Sequence, residues 1–143
     1  MKEWKGKIYF SHGNSQSKGV AVLIPEVLVG IVNVSQVTSD PEGRFIVLDC
    51  EIEGNAMVLF NIYAPTKEKI DSQLNSNTLR ETIEVYGEKN LVIGGDFNTC
   101  LDPRIDKKGG NLETKSGYTK NIIALMEEFN LVDIWRLRNA DDY

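Results

Sequence analysis

Asp96, Phe97 and Asn98 place a carboxylate and a carboxamide two residues apart, directly after Leu91-Val92-Ile93-Gly94-Gly95. If the chain stays extended there, side-chain alternation puts Asp96 and Asn98 on one face and Phe97 on the other. A carboxylate accepts hydrogen bonds and a carboxamide both donates and accepts, so the pair could orient an anion, a water or a hard cation. The apolar run has the length of a buried strand, and the glycines let a backbone or a ligand approach closely. A strand ending in an Asx turn fits the same residues. Among the more scattered polar groups, His12 lies in a polar stretch whose Ser11 and Ser17 suit a turn or a phosphate contact. Tyr63 closes a second apolar run just before Ala64-Pro65.

The elements that must position these residues read as strands first, then as alternating helix and strand. Trp4 to Phe10 alternates loosely as a strand, and Ser11 to Gly19 is rich in Gly, Ser and Asn, which predicts a loop. Val20-Ala21-Val22-Leu23-Ile24 reads as a buried strand stopped by Pro25, and the β-branched stretch Val27 to Val34 as extended. Asp40-Pro41-Glu42-Gly43 turns the chain into a hairpin, Arg44 to Glu51 and Ala56 to Tyr63, joined at Glu53-Gly54-Asn55. Pro65 ends the second strand because it has no N–H for a ladder. Leu79, Ile83 and Tyr86 recur at helical spacing and predict an amphipathic helix over Asp71 to Tyr86, with Gly87 to end it. Asp102 to Ser116 reads as a long loop carrying Arg104, Lys107, Lys108 and Lys115. Ile122, Leu125, Met126 and Phe129 mark one face of a helix ending near Asn130, and Leu131 to Trp135 reads as a further strand. The order predicts one α/β unit.

Composition narrows the function classes. The 143 residues are 41% hydrophobic and 26% charged, which is the balance of a globular chain with a core. No apolar run approaches the roughly 20 residues that span a bilayer, and the N-terminus lacks the apolar core of a secretory signal. Two cysteines, Cys50 and Cys100, make no disulfide framework and have no cluster of ligating neighbours, which fits an intracellular, reducing compartment. A formal charge of −5 argues against a dedicated nucleic-acid-binding module. It leaves room for an enzyme that meets nucleic acid locally or through a metal ion.

Four segments in order carry a resemblance. Ser17-Lys18-Gly19-Val20-Ala21-Val22-Leu23-Ile24, Asn61-Ile62-Tyr63-Ala64-Pro65, Gly94-Gly95-Asp96-Phe97-Asn98 and Leu131-Val132-Asp133-Ile134-Trp135-Arg136 resemble the endonuclease/exonuclease/phosphatase superfamily. Within it they are most similar to the apurinic-type endonuclease domains of non-LTR (LINE-type) retrotransposons, as is the loop Cys100 to Asp106. The resemblance implies a four-layered α/β sandwich of the DNase I-like type. It implies that Asp96 serves leaving-group protonation or water and metal handling, that Asn98 hydrogen-bonds the phosphoryl oxygen, and that Tyr63 contacts the phosphate or the aspartate. Mg²⁺ or Mn²⁺ is the implied cofactor, with Asp96 and Asn98 as the implied metal-binding residues here. The implied partner is the DNA phosphate backbone, with a reverse transcriptase domain in a full-length protein and nuclear localisation in an active element. Phosphodiester cleavage does need a hard cation and fixed donors.

The same comparison identifies what these residues lack. The family's metal-binding glutamate belongs upstream of the Ser17 segment, and its Ser-X-Ile-Asp-Tyr strand and Ser-Asp-His belong after Arg136; none occurs here. The expectation is that residues 1–143 are the central part of one such domain, with weak metal affinity without the glutamate. His12, in the wrong motif position, is expected to be a solvated loop residue rather than the general base. Arg136 could reach a phosphate or serve the surface, and Asp133 and Trp135 are expected to serve a local hydrogen bond and the core. Three readings stay open: an endonuclease whose complete form nicks DNA, an inactive remnant or interaction domain of the same fold, and an exonuclease or phosphatase of the superfamily. Without outer strands, sheet edges and apolar faces should be exposed, so the chain is expected to associate. Light scattering checks this, and a monodisperse monomer with a cooperative melt would contradict it.

Overall fold

The computed structural model describes residues 4–14, 17–64, 76–87, 89–106 and 117–140. It is a mixed α/β structure, as the sequence predicts. Residues 1–64 and 85–97 form one compact unit, and residues 65–84 and 98–143 form another.

In the first unit, β1 (Gly6–Asn14) and β2 (Ser17–Pro25) pair antiparallel from Gly6↔Pro25 to Asn14↔Ser17. The polar stretch expected as a loop therefore belongs largely to the hairpin, because its groups find partners there. Ser11 is buried and its hydroxyl donates to the Asp40 carbonyl at 2.6 Å. Gly19 N–H donates to the Gly43 carbonyl at 3.0 Å. Neither the turn nor the phosphate contact considered for Ser11 is its role. His12 is exposed, as expected, but it sits on β1 rather than in a loop, with its ring centroid 4.4 Å from that of Phe10. The β2 run is not buried throughout: Leu23 is exposed while Ile24 is buried.

Val27 was expected to be extended. Instead Glu26–Leu28 form a single 3₁₀ turn, closed by Val29 N–H to the Glu26 carbonyl at 3.2 Å. Val27 is 81% exposed, so no packing supports its side chain and β-branching alone does not hold it extended. Extended structure resumes at β3 (Val32–Ser39), followed by β4 (Phe45–Ile52) and β5 (Asn55–Tyr63). Glu53 and Gly54, with φ of 51° and 80°, make the two-residue turn between Ile52 and Asn55. Positive φ at both positions matches the right-handed twist of the flanking strands.

The strand ending in the Gly-Asp motif, β6 (Asn90–Asp96), pairs parallel to β5 from Met57↔Asn90 to Tyr63↔Asp96, giving the order β3-β4-β5-β6. It was expected to be a buried strand. Among the described residues it lies at the sheet edge, and Val92 is 51% exposed. Burial centres on the inner strands, at Ile46, Val47 and Leu48 of β4 and Val58, Phe60 and Ile62 of β5. The hairpin joins this core through Ile24, which packs in a cluster with Val32, Cys50 and Tyr9.

The second unit holds most of α1 (Ser76–Tyr86), α2 (Pro103–Asp106), α3 (Gly117–Glu128) and α4 (Ile134–Arg138). The expected helix faces are present: Leu79 and Ile83 of α1, and Ile122 and Leu125 of α3, are buried. Arg80 pairs with Glu128, and its guanidinium lies 5.9 Å from the Phe129 ring centroid. α3 ends as predicted near Asn130, where φ is 53° and Leu131 N–H reaches back to the Met126 carbonyl at 2.8 Å. The expected residues 71–75 of α1 and most of the basic loop fall outside the described residues.

Leu131 to Trp135 does not form a strand. Asp133 is extended and caps α4, its carboxylate accepting from Arg136 N–H at 3.0 Å. A short apolar run is ambiguous between strand and helix, and the capping aspartate decides for helix. Trp135 is 61% exposed rather than in the core, while the local hydrogen bond expected of Asp133 is its cap. No described helix is long and apolar enough to cross a membrane.

The two motif glycines differ sharply. A Cβ on Gly95, where φ is 131°, would lie 1.9 Å from the Ile62 carbonyl oxygen, whereas a Cβ on Gly94 meets nothing within 4 Å. Gly95→Ala is therefore expected to lower unfolding free energy by at least about 2 kcal/mol, and Gly94→Ala to change it by less than about 1 kcal/mol. Urea denaturation of the two variants checks this.

Candidate active site

The site residues are set by the last rungs of the central sheet. In a parallel pair, residues in register share a face, so Tyr63 and Asp96 project from the same side of the sheet end. The ladder continues one step further, with Ala64 N–H donating to the Asp96 carbonyl at 2.8 Å. On the other side of β5, Tyr63 N–H donates to the Arg44 carbonyl at 2.7 Å. Arg44 closes the row from the β4 side, its guanidinium carbon 5.5 Å from the Tyr63 ring centroid. The row thus carries a cation, a phenol and an exposed carboxylate within the first unit.

Asn98 does not extend this row by alternation. β6 stops at Asp96, and Asn98 adopts φ of 47°. That left-handed backbone is uncommon for a residue other than glycine, though asparagine tolerates it. The sequence expectation of a shared face for Asp96 and Asn98 needs extended geometry through Phe97, and the backbone leaves it there. Asn98 also belongs to the second unit. The structure therefore brings Tyr63 and Asp96 together, and it does not join Asn98 to them by strand geometry.

Two residues not among those expected at the site prove important to its geometry. Asn61, on the same face of β5 as Tyr63, donates its Nδ2 to the Ala21 carbonyl at 2.8 Å and so ties the hairpin to the sheet. Its signal was there to read: a carboxamide alternating with Tyr63 in an otherwise apolar strand. Arg44 had a weaker signal, a lone cation immediately after the Gly43 turn. That turn is fixed by Asp40, which is buried and accepts Arg44 N–H at 2.9 Å on Oδ2 and Gly43 N–H at 2.9 Å on its carbonyl.

The remaining candidates take structural roles. Arg136 pairs with Asp106 and donates to the Asn139 and Ala140 carbonyls at 3.2 and 3.3 Å, so it braces α4 in the second unit. Cys100 is half-buried, and Cys50 is buried in the first unit. Burial, and then the Asp49 charge, push the Cys50 thiol above its ordinary range, which favours the inert protonated form. In the second unit Thr99 and the buried Thr119 join their hydroxyls at 2.6 Å, anchoring the segment after Asn98 to α3.

As a metal centre the row is partial. Among the described residues no three His, Cys, Asp or Glu side chains converge to hold an ion. Mg²⁺ is commonly held by one or two carboxylates, with water and substrate phosphate completing the shell. Asp96 fits one such position and does not make a site alone.

No protein-family model matches the chain. A curated relative does: the chain is 35% identical over 147 residues to the Transposon TX1 uncharacterized 149 kDa protein of Xenopus laevis, an alignment covering 97% of this chain. This chain is related to a transposon-encoded protein. It spans only 10% of the length of that relative. The resemblance read from its four ordered segments, to the superfamily in its retrotransposon branch, agrees with that kinship. Among solved structures, the crystal structure of TDP2 from C. elegans is similar at a TM-score of 0.47 and 20% identity, covering 67% of this chain and 32% of that one.

Asn61→Ala removes the clamp between hairpin and sheet and leaves the Ala21 carbonyl to find another partner. It is expected to lower stability by about 1 to 2 kcal/mol, read as a fall in melting temperature. An unchanged melt would show that the two sheets hold together without it.

Proposed function

We propose that this chain is the central part of an apurinic-type endonuclease domain of a non-LTR retrotransposon protein, whose complete form nicks DNA at target sites. The observation that carries this reading is the register of Tyr63 with Asp96 at the end of a parallel pair, inside a chain related to a transposon protein over nearly all its length. The finer fold proposed with it is the four-layered DNase I-like sandwich.

In the proposed reaction a water oxygen adds to phosphorus and the P–O3′ bond breaks. The departing O3′ takes a proton to become a 3′-hydroxyl, and the phosphate stays on the 5′ side. Tyr63 donates its hydroxyl to a non-bridging phosphate oxygen, which fixes the group as negative charge builds. Asp96 serves protonation of the departing oxygen or orients the water, and Asn98 donates its carboxamide to the phosphoryl oxygen. A bound Mg²⁺ or Mn²⁺ would supply charge stabilisation, with Asp96 as one ligand and the missing glutamate as another. The substrate is the DNA backbone, in an intracellular and ultimately nuclear setting, and a reverse transcriptase domain accompanies it in the full-length protein.

A specific observation keeps the second reading, an inactive remnant or interaction domain, in play for these 143 residues: among the described residues no His, Cys, Asp or Glu cluster able to hold a metal forms around Asp96. Supercoiled-plasmid nicking with Mg²⁺ separates the two. The chain alone is expected to nick little. A longer translation product supplying the glutamate segment and Ser-Asp-His is expected to nick, and to lose at least about 100-fold on Asp96→Asn. Robust nicking by the chain alone would overturn its incompleteness, and indifference of the longer product to Asp96→Asn would overturn the role of Asp96.

A further inference from the structure

Arg44 is a charge buried in an unusual way. It is only 8% exposed, its Nε makes no hydrogen bond, and among the described residues no carboxylate forms an ion pair with it. Buried arginines are ordinarily paired, and a buried unpartnered N–H is a standing penalty. The nearest carboxylate contact, from Asp40, goes to the backbone N–H of Arg44. What the guanidinium does meet is the face of the Tyr63 ring, 5.5 Å from its centroid. The main chain reinforces the same contact, since the Arg44 carbonyl accepts Tyr63 N–H at 2.7 Å.

A planar cation against the negative face of an aromatic ring is attractive, and more so once desolvated. It restrains the ring's swing and so fixes the direction in which the phenol points. We infer that Arg44 is a positioning residue: it fixes the Tyr63 ring through its face so that the hydroxyl is presented to a DNA phosphate beside Asp96. The inference rests on the phosphodiester reading above. It accounts for why a fold would keep an arginine with an unpartnered Nε at this place, where a methionine of similar length would fill the space without the penalty.

The Asp40 turn makes the arrangement specific. Ser11 donates to the Asp40 carbonyl, Asp40 accepts from Arg44, and Gly19 donates to the Gly43 carbonyl, so the β1–β2 hairpin sets the backbone from which the guanidinium reaches Tyr63. Gly43, with φ of 72°, passes so close to the hairpin that an added Cβ would lie 2.5 Å from Gly13 N.

The test uses the full chain carrying 3-fluorotyrosine, with the Tyr63 ¹⁹F resonance assigned by its loss in Tyr63→Phe. A short DNA duplex is titrated in EDTA, so no cleavage is required. In the native chain the duplex is expected to shift the Tyr63 resonance. Arg44→Met should broaden that resonance without DNA and abolish most of the shift, and Arg44→Lys, which keeps the charge, should restore part of it. Melting curves accompany each variant, and if Arg44→Met fails to fold, a reduced shift in a folded Arg44→Lys carries the comparison. A shift of equal size in native and Arg44→Met chains overturns the role of Arg44 and leaves the phosphodiester reading standing. A Tyr63 resonance indifferent to DNA in the native chain overturns both.

Discussion

The structure of the first unit depends on how closely β6 approaches β5. At Gly95 the two backbones come so near that no side chain fits, and the positive φ there is one only glycine adopts without strain. That contact locks the register, and the register puts Tyr63 opposite Asp96. A slip of one residue would send Asp96 to the opposite face, because strand side chains alternate. The glycine therefore sets a pairing to which it contributes no side chain.

Around that contact, buried and half-buried polar groups do the positioning and apolar groups do the stabilising. Ile46, Leu48, Phe60 and Ile62 fill the centre of the sheet and would tolerate considerable interchange at similar volume. The hydroxyl of Ser11, the carboxylate of Asp40 and the carboxamide of Asn61 allow no such interchange, because each meets one partner at hydrogen-bonding distance. Together they attach the hairpin to the sheet at the end where the row lies. The second unit is arranged in the same way, with Arg80 and Arg136 bridging helices and Asp133 capping α4.

How much of this was legible in the sequence depended on range. Local signals were readable: the Glu53-Gly54 turn, the α1 and α3 faces at Leu79, Ile83, Ile122 and Leu125, and the stop near Asn130. The long strands at Ser11 to Gly19 were not, because their polar residues are held by partners distant in sequence, Asp40 and Gly43. Leu131 to Trp135 misled because an apolar run that short has no decisive period, and the one capping carboxylate outweighed it. The segment Gly94 to Asn98 itself was readable as residue types. Its geometry was not, since the turn at Asn98 and the arginine against Tyr63 are properties of backbone and packing that spacing does not encode.

The sheet is assembled from two kinds of neighbour. β3, β4 and β5 follow one another as a meander closed by short turns, whereas β5 and β6 run parallel and need the whole stretch from Ala64 to Lys89 to cross between them. Local pairings close quickly and non-local ones pay loop entropy first. On a growing chain the meander can therefore form while β6 is still within the ribosome, with Arg44 and Tyr63 already side by side. Asp96 is the last member of the row to arrive, so the row is complete only once the crossover has closed.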